Sequence, residues 1–149
     1  MLREHQILAR TTHPLPLWLA TLLAVQRLGP NQQNKTICTL ELPEIVAGAR
    51  ELSALKADPR VVDLRSWSRW YWGLVNRCLE LWEDEEVGDV GGDAFKIRAA
   101  EIADYAHNPR GAPAEFVQRL DETEMGLFKS ARDSSRAVRE WLGEVKRKG

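Results

Sequence analysis

The chain has 149 residues, of which 44% are hydrophobic and 29% charged, and its formal net charge at pH 7 is −1. This length fits one globular domain, and the composition excludes an intrinsically disordered chain. The near-neutral charge argues against strong binding to DNA or to an anionic membrane. Two cysteines, Cys38 and Cys78, are too few for a disulfide framework or a cysteine-rich zinc site.

The first predicted helix is unusual because almost none of it is polar. Residues 1–13 are expected to form a short, extended leader, and a helix follows from about Pro14 to the stop sequence LGPN. Between Leu15 and Val25 the only polar side chain is that of Thr21. This run is shorter than the roughly 20 apolar residues that cross a bilayer, and a helix that is apolar on every side is usually buried on every side. In so short a chain, we expect another protein to cover part of it.

Two further helices are predicted before the middle of the chain. The sequence PEIVAGARELSAL at 43–55 favours a second helix, and the Asp58-Pro59 pair biases the chain away from helix after it. Asp63 is placed to cap a third helix over about 64–84. Apolar and aromatic residues recur there at three- and four-residue spacing, which is typical of an amphipathic helix.

The C-terminal half is predicted to hold two more helices. An acidic, glycine-rich segment at 83–93 is expected to be a connector, and a fourth helix follows at about 94–106. Its inner side is expected to include Ile97 and Ile102. The longest helix is predicted from Ala114 to about Lys146. The chain is therefore expected to be all-α, with about five helices of very unequal length.

Four of the six tryptophans lie on the third predicted helix. If that helix runs without interruption, Trp67, Trp70 and Trp82 lie on or beside its apolar face and are expected to pack in the core. Trp72 then points elsewhere, beside Leu79. Because tryptophan outside a core is enriched at binding hot spots, we expect Trp72 to contact a partner.

No catalytic constellation is present in the sequence. The three histidines, His5, His13 and His107, lack the spacing of metal ligands, and no glycine-rich phosphate loop or nucleophile elbow occurs. The acidic run at 83–93 lacks the alternating ligands of a calcium loop, although a small metal-dependent enzyme that uses these carboxylates remains an alternative. We expect no catalytic site, no metal and no cofactor.

Five short blocks in a fixed order carry a resemblance to a known family. They are LPLWLA at 15–20, LELPEI at 40–45, ADPRVVDL at 57–64, WYWG at 70–73 and RLDETEMGLF at 119–128. In this order and with these gaps they resemble the Psf-three type of subunit of the GINS complex. The block LPLWLA is also similar to the sister Psf-two type, and the later blocks, above all VVDL and RLDETEMGLF, favour Psf-three.

The resemblance implies a fold and a role. GINS is a heterotetramer of related subunits, each with a helical A-domain and a small β-rich B-domain, and it has no catalytic activity. It joins the minichromosome-maintenance hexamer and the cell-division-cycle forty-five protein in the replicative helicase, in the nucleus, for initiation and elongation of DNA replication. Residues 14–149 would form the helical A-domain. The B-domain usually precedes LPLWLA, and the 14 residues before Leu15 are too few for a β-domain. The B-domain is therefore expected to be absent here, either because the chain is a fragment, a truncated gene model or a short isoform, or because this lineage has lost the domain.

The partners implied by the resemblance are the three other GINS subunits, with neither strong nucleic-acid binding nor a membrane contact. Apolar side chains are expected to form the subunit interface: Leu15, Leu17, Trp18, Leu22, Trp72, Leu79, Leu127 and Phe128. An unrelated helical adaptor that shares the bundle pattern by chance is the alternative interaction protein. Pull-down with the other GINS subunits separates the two possibilities.

Overall fold

The computed structural model describes most of the chain: residues 15–25, 38–108 and 110–148. These residues form eight α-helices and no strand, which confirms the predicted all-α class. The chain divides into two compact units, Met1–Glu41 and Leu42–Gly149. The predicted leader at 1–13 and the helix stop at LGPN lie outside the described residues.

The first unit contains one described helix, α1 (Leu17–Val25). Pro16 immediately precedes it, and the Pro16 carbonyl oxygen accepts hydrogen bonds from the backbone N–H groups of Leu19 at 2.9 Å and Ala20 at 3.0 Å. Thr21 Oγ1 donates to the Trp18 carbonyl at 2.9 Å, so the one polar side chain of α1 has a partner within the helix. None of the described helices combines the length and apolar content needed to cross a membrane.

The second unit contains the other helices: α2 (Glu44–Ala47), α3 (Ala49–Ala57), α4 (Leu64–Trp67), α5 (Tyr71–Trp82), α6 (Glu85–His107), α7 (Ala114–Arg119) and α8 (Glu122–Lys148). Helix α6 packs against α3, α5 and α8, and α4 packs against α7. Three of the five predicted helices are each split in two, which accounts for the larger number observed.

Each split has a local cause. Gly48 adopts an extended conformation with φ −63° and ψ 138°, which ends α2 and starts α3. Ser68 is extended as well, with φ −156° and ψ 136°, and it ends α4 before α5 begins. Extended Leu120 separates α7 from α8. Because the chain changes direction at these residues, the helical phase read on one side does not continue on the other.

The acidic segment at 83–93 is not the predicted connector. Glu83 takes a left-handed conformation (φ 49°) that ends α5, and α6 begins at Glu85. Asp84 Oδ1 accepts a hydrogen bond from the backbone N–H of Val87 at 2.9 Å and so caps α6. Asp63 caps α4 in the same way, through the N–H of Ser66 at 3.0 Å, as the sequence predicted. Carboxylates in the first turn of α6 also interact favourably with the helix dipole.

The glycines of this segment allow α5 and α6 to pack closely. Gly91 is buried, and a Cβ atom at this position would lie 3.6 Å from Val75 Cγ1 and 3.9 Å from Trp72 Cζ3. Gly88 faces Leu79 on the same side of α6. The glycine-rich composition therefore reflects helix packing and not a loop.

The core of the second unit lies along the inner face of α6. One cluster of buried residues joins α6 to α2, α3 and α5, and a second cluster consists of Ile102, Ala106, Leu120 and Phe128. Ile102 is buried as predicted, but Ile97 is 41% exposed, so its predicted inner position is wrong. Arg98 occupies the inner face instead and is 2% exposed.

Gly48→Ala is expected to lower the free energy of unfolding by roughly 1–3 kcal/mol, in the range of overpacked sites. A Cβ atom at this position would collide with the Glu44 carbonyl oxygen and the Glu51 carboxylate. Gly92→Ala is the matched control, because no heavy atom lies within 4 Å of its added Cβ atom. This variant is expected to gain about 0.5–1 kcal/mol from helix propensity. Chemical denaturation measures both, and equal stability of the two variants would contradict the packing seen at Gly48.

Candidate interaction surfaces and their buried anchor

A bidentate ion pair lies at the centre of the second unit. Arg98 on α6 donates from Nε to Glu124 Oε1 at 2.6 Å and from Nη2 to Glu124 Oε2 at 2.8 Å. Arg98 Nη1 also donates to the carbonyl oxygens of Pro59 at 2.5 Å and Val62 at 3.0 Å. Buried charges need such additional hydrogen bonds to offset the loss of water. The pair therefore holds the loop before α4 against both α6 and α8.

Trp72 belongs to this buried cluster. Its indole Nε1 donates to Glu124 Oε1 at 2.9 Å, and its ring lies edge-on to Phe95 with the ring centroids 5.1 Å apart. The side chain is 8% exposed. The prediction that Trp72 points away from the core is wrong, because α5 begins at Tyr71 and does not continue the phase of α4. Trp70, in the same WYWG block, is 58% exposed, so its predicted place in the core is wrong.

Asp121 caps two helices with one carboxylate. Its Oδ1 accepts a hydrogen bond from the backbone N–H of Glu124 at 2.8 Å, and Glu124 Oε2 accepts from the backbone N–H of Asp121 at 3.3 Å. This reciprocal pair is a capping box at the start of α8. Asp121 Oδ2 accepts from the backbone N–H of Trp72 at 3.1 Å, in the first turn of α5. Burial raises the pKa of the Asp121 carboxyl, against the lowering effect of these backbone hydrogen bonds.

Glu122 continues the anchor at the surface. Its carboxylate accepts from Arg69 Nε at 2.9 Å and from Arg65 Nη2 at 2.8 Å, and these hydrogen bonds lower the pKa of Glu122. Its backbone N–H donates to the Arg69 carbonyl at 2.9 Å. The start of α8 is therefore fixed to the segment between α4 and α5.

Three of the blocks that carry the family resemblance meet at this anchor. ADPRVVDL supplies the two carbonyl acceptors, WYWG supplies Trp72, and RLDETEMGLF supplies Asp121 and Glu124. Sequence reasoning missed Arg98, which joins them. Two signals could have found it: the D-x-x-E pattern at 121–124, and an arginine four residues from Ala94 and from Ile102 on an apolar helix face.

The C-terminal part of α8 extends past the rest of the bundle. Arg139 Nη1 donates to the carbonyl oxygen of His107, the last residue of α6, at 3.4 Å. Beyond Ser135, each described side chain of α8 is exposed or half-buried. We call residues 136–148 the α8 extension; at 1.5 Å per residue it is about 20 Å long. Three large apolar side chains among those described in this segment are exposed: Val138, Trp141 and Leu142.

The predicted interface residues divide into three groups. Leu15, Trp18, Leu22 and Leu127 are exposed, and Leu17 is half-buried. Leu79 is partly buried against the core of the second unit. Trp72 and Phe128 are buried, so the outward position predicted for Trp72 is wrong. The interface roles of the other six residues remain predictions.

The carboxylates at 83–93 are distributed around α6 and do not converge. Glu86 Oε1 accepts from Lys56 Nζ at 2.7 Å, and Asp93 Oδ1 accepts from Lys96 Nζ at 3.0 Å. Asp84 is occupied as the helix cap. Within the residues that the structure describes, no group of three or more His, Cys, Asp or Glu side chains is arranged to hold a metal ion.

Comparison with known proteins adds independent information. Residues 48–143 match the model of the Sld5 family, described as the GINS complex protein helical bundle domain. The chain is 49% identical over 146 residues to the DNA replication complex GINS protein psf3 of Aspergillus fumigatus, covering 95% of this chain and 79% of that protein.

More distant fungal relatives carry the same description. The protein of this name from Phaeosphaeria nodorum is 47% identical over 137 residues, covering 90% of this chain and 74% of that protein. The one from Schizosaccharomyces pombe is 26% identical over 130 residues, covering 85% and 72%. The matched segment of the family model includes the whole buried anchor from Pro59 to Glu124. The chain belongs to the GINS complex protein family and, within it, to the Psf3 group.

Proposed function

We propose that this chain is a non-catalytic scaffold subunit of a GINS assembly that acts in DNA replication. Its partners in that role are the three sister subunits. Through the assembly it serves the replicative helicase, with the minichromosome-maintenance hexamer and the cell-division-cycle forty-five protein, in the initiation and elongation of replication in the nucleus. Support comes from the relatives, which are described as GINS proteins of a DNA replication complex.

The observation that carries this proposal is the apolar surface of the α8 extension. Trp141 is 63% exposed, and Val138 and Leu142 accompany it. An amphipathic helix whose apolar side is exposed gains stability when a second helix covers that side. The ion pairs on the polar side of α8 are mostly exposed and contribute little, such as Arg136 with Asp133 at 3.3 Å. The apolar side is therefore the part of the extension suited to a partner.

Helix α1 offers a second apolar surface. Trp18 is 67% exposed, and Leu22 and Val25 are exposed with it. We propose that Leu15, Leu17, Trp18 and Leu22 contact a sister subunit, together with Leu127 on α8. The residues from 14 onward would then act as one helical assembly domain.

Co-expression tests the proposal directly. The chain expressed alone is expected to self-associate because of its exposed apolar surfaces, whereas co-expression with the three sister subunits is expected to give one soluble complex of defined mass. Light scattering coupled to size-exclusion chromatography measures both. A monodisperse monomer that does not bind the sister subunits would contradict the proposed function.

Trp141→Ala is expected to weaken assembly by about 2 kcal/mol, the loss of a hot-spot residue, which is about a 30-fold increase in Kd. The chain should keep its fold, because the side chain is mostly exposed in it. Glu140→Ala, at the neighbouring exposed position, is the matched control and should leave the Kd within about twofold. Subunit-exchange assays with circular dichroism of each variant separate binding from folding. Equal Kd values for the two variants would show that the α8 extension is not part of the interface.

A further inference from the structure

An open groove lies between α3 and α6, with a volume of about 310 Å³. Its floor is apolar: Leu55 and Ala94 are 3% and 2% exposed, and Pro59 is buried beside them. Ile97 lines one side and is 41% exposed. The groove thus has an apolar floor that the side chains lining it leave open.

The rim of the groove is acidic. Asp89 and Asp93 lie one helical turn apart on α6, and both line the groove. Lys56 lines it from α3, but its Nζ lies 2.7 Å from Glu86 Oε1, so its charge is already paired. Asp93 is paired as well, with Lys96 Nζ at 3.0 Å. Asp89, by contrast, has no hydrogen bond or ion pair within the described part of the chain. It is therefore available to a cation from outside.

The rest of α6 extends this acidic character. Outside its buried face the helix carries six carboxylates and one ammonium: Glu85, Glu86, Asp89, Asp93, Glu101 and Asp104, with Lys96. Arg98 does not offset them at the surface, because its charge is used in the buried pair with Glu124. Such a surface repels the phosphates of nucleic acid and of anionic lipid, which leaves a protein as the occupant.

We propose that the α3–α6 groove binds a segment of another protein in which a lysine or arginine stands beside a leucine, isoleucine, valine or phenylalanine. The apolar side chain occupies the floor beside Ile97, and the cation pairs with Asp89. Charge complementarity supplies specificity, and the buried apolar side chain supplies most of the affinity. This surface is separate from the α8 extension, so the proposal does not depend on the subunit interface.

Selection from a phage library of random 12-residue peptides tests this inference. The target is the full 149-residue chain, immobilised at low density so that self-association does not cover the groove. The enriched peptides are expected to carry a basic residue next to a large apolar one. The best of them is then synthesised, and its Kd for each variant is measured by fluorescence anisotropy.

Asp89→Lys and Ile97→Ser are expected to raise the Kd of that peptide at least tenfold. Asp104→Lys makes the same charge change on α6 outside the groove and should change the Kd less than threefold. All three positions are exposed, and circular dichroism confirms that each variant keeps the helical fold. No enrichment, peptides without a basic residue, or equal effects of Asp89→Lys and Asp104→Lys would each overturn the proposal. Loss of assembly with the sister subunits tests the proposed function instead and has no bearing on this result.

Discussion

Arg98→Met is expected to cost about 3–5 kcal/mol of the free energy of unfolding, the range for breaking a buried ion pair by removing one partner. The substitution leaves the Glu124 carboxylate buried at 0% exposure without its main cation. It also removes the donor to the carbonyl oxygens of Pro59 and Val62. The loss therefore combines an unpaired charge with two unsatisfied acceptors, and both occur in the same place.

Chemical denaturation measures this loss, and Arg77→Ala serves as its control. Arg77 pairs with Glu80 at 2.6 Å, as short as the buried contact, but the two side chains are 55% and 50% exposed. An exposed pair of this kind contributes only about 0.2–1 kcal/mol. The comparison holds distance nearly constant and changes burial. Similar losses for the two variants would show that the Arg98 pair is not the buried anchor of the fold.

A double substitution separates the charge from the hydrogen bonds. Arg98→Met combined with Glu124→Met removes both charges, and the unpaired carboxylate disappears with them. Stability is expected to recover only in part, because Pro59 and Val62 still lack a donor and Trp72 Nε1 loses its acceptor. Full recovery would mean that the charges alone matter and that the loop before α4 is held by other contacts.

Local signals in the sequence predicted much of the fold. The all-α class follows from apolar spacing, and Asp63 caps its helix because its side chain can reach the N–H group three residues on. These features depend on neighbouring residues alone. The Asp58-Pro59 break is of the same kind, since proline restricts the residue before it.

The errors arose where a distant contact overrides the local pattern. The acidic, glycine-rich run at 83–93 has poor helix propensity, yet it is helical, and the missing side chain of Gly91 lets α5 pack against it. In the same way, Asp121 caps both α5 and α8, and its bond to Trp72 spans 49 positions of the chain. Periodicity within one helix cannot reveal such a partner.

Of the two candidate interaction surfaces, one could be predicted from the sequence and the other could not. The exposed apolar residues on α1 could be predicted from the sequence. A helix that is apolar on nearly every side needs cover on every side, which so short a chain is not expected to supply. For the α8 extension the sequence does not decide whether the apolar residues are covered. The apolar stripe of a helix has the same sequence pattern whether the covering helix belongs to this chain or to another protein. The structure shows that α6 ends at His107 and that the apolar residues of the α8 extension are exposed.

Trp72→Ala is expected to lower the free energy of unfolding by about 3–5 kcal/mol, the usual cost of truncating a buried tryptophan. The substitution opens a cavity against Phe95 and removes the donor to Glu124 Oε1. Trp72→Phe should recover part of the packing but not the hydrogen bond, so its loss should be smaller than that of Trp72→Ala.

Trp70→Ala is the matched control, two residues away in the same WYWG block. Trp70 is 58% exposed, and its hydrogen-bonded contacts are made by its backbone, which the substitution leaves intact. Its loss is expected to stay within about 0.5 kcal/mol, as for other surface changes. Urea denaturation followed by the remaining tryptophan fluorescence measures all three variants. A large loss of stability for Trp70→Ala together with a small loss for Trp72→Ala would support one uninterrupted helix over 64–84. Such a helix places Trp70 inward and Trp72 outward. The opposite order requires the break at Ser68 and places the indole of Trp72 on the buried carboxylate of Glu124.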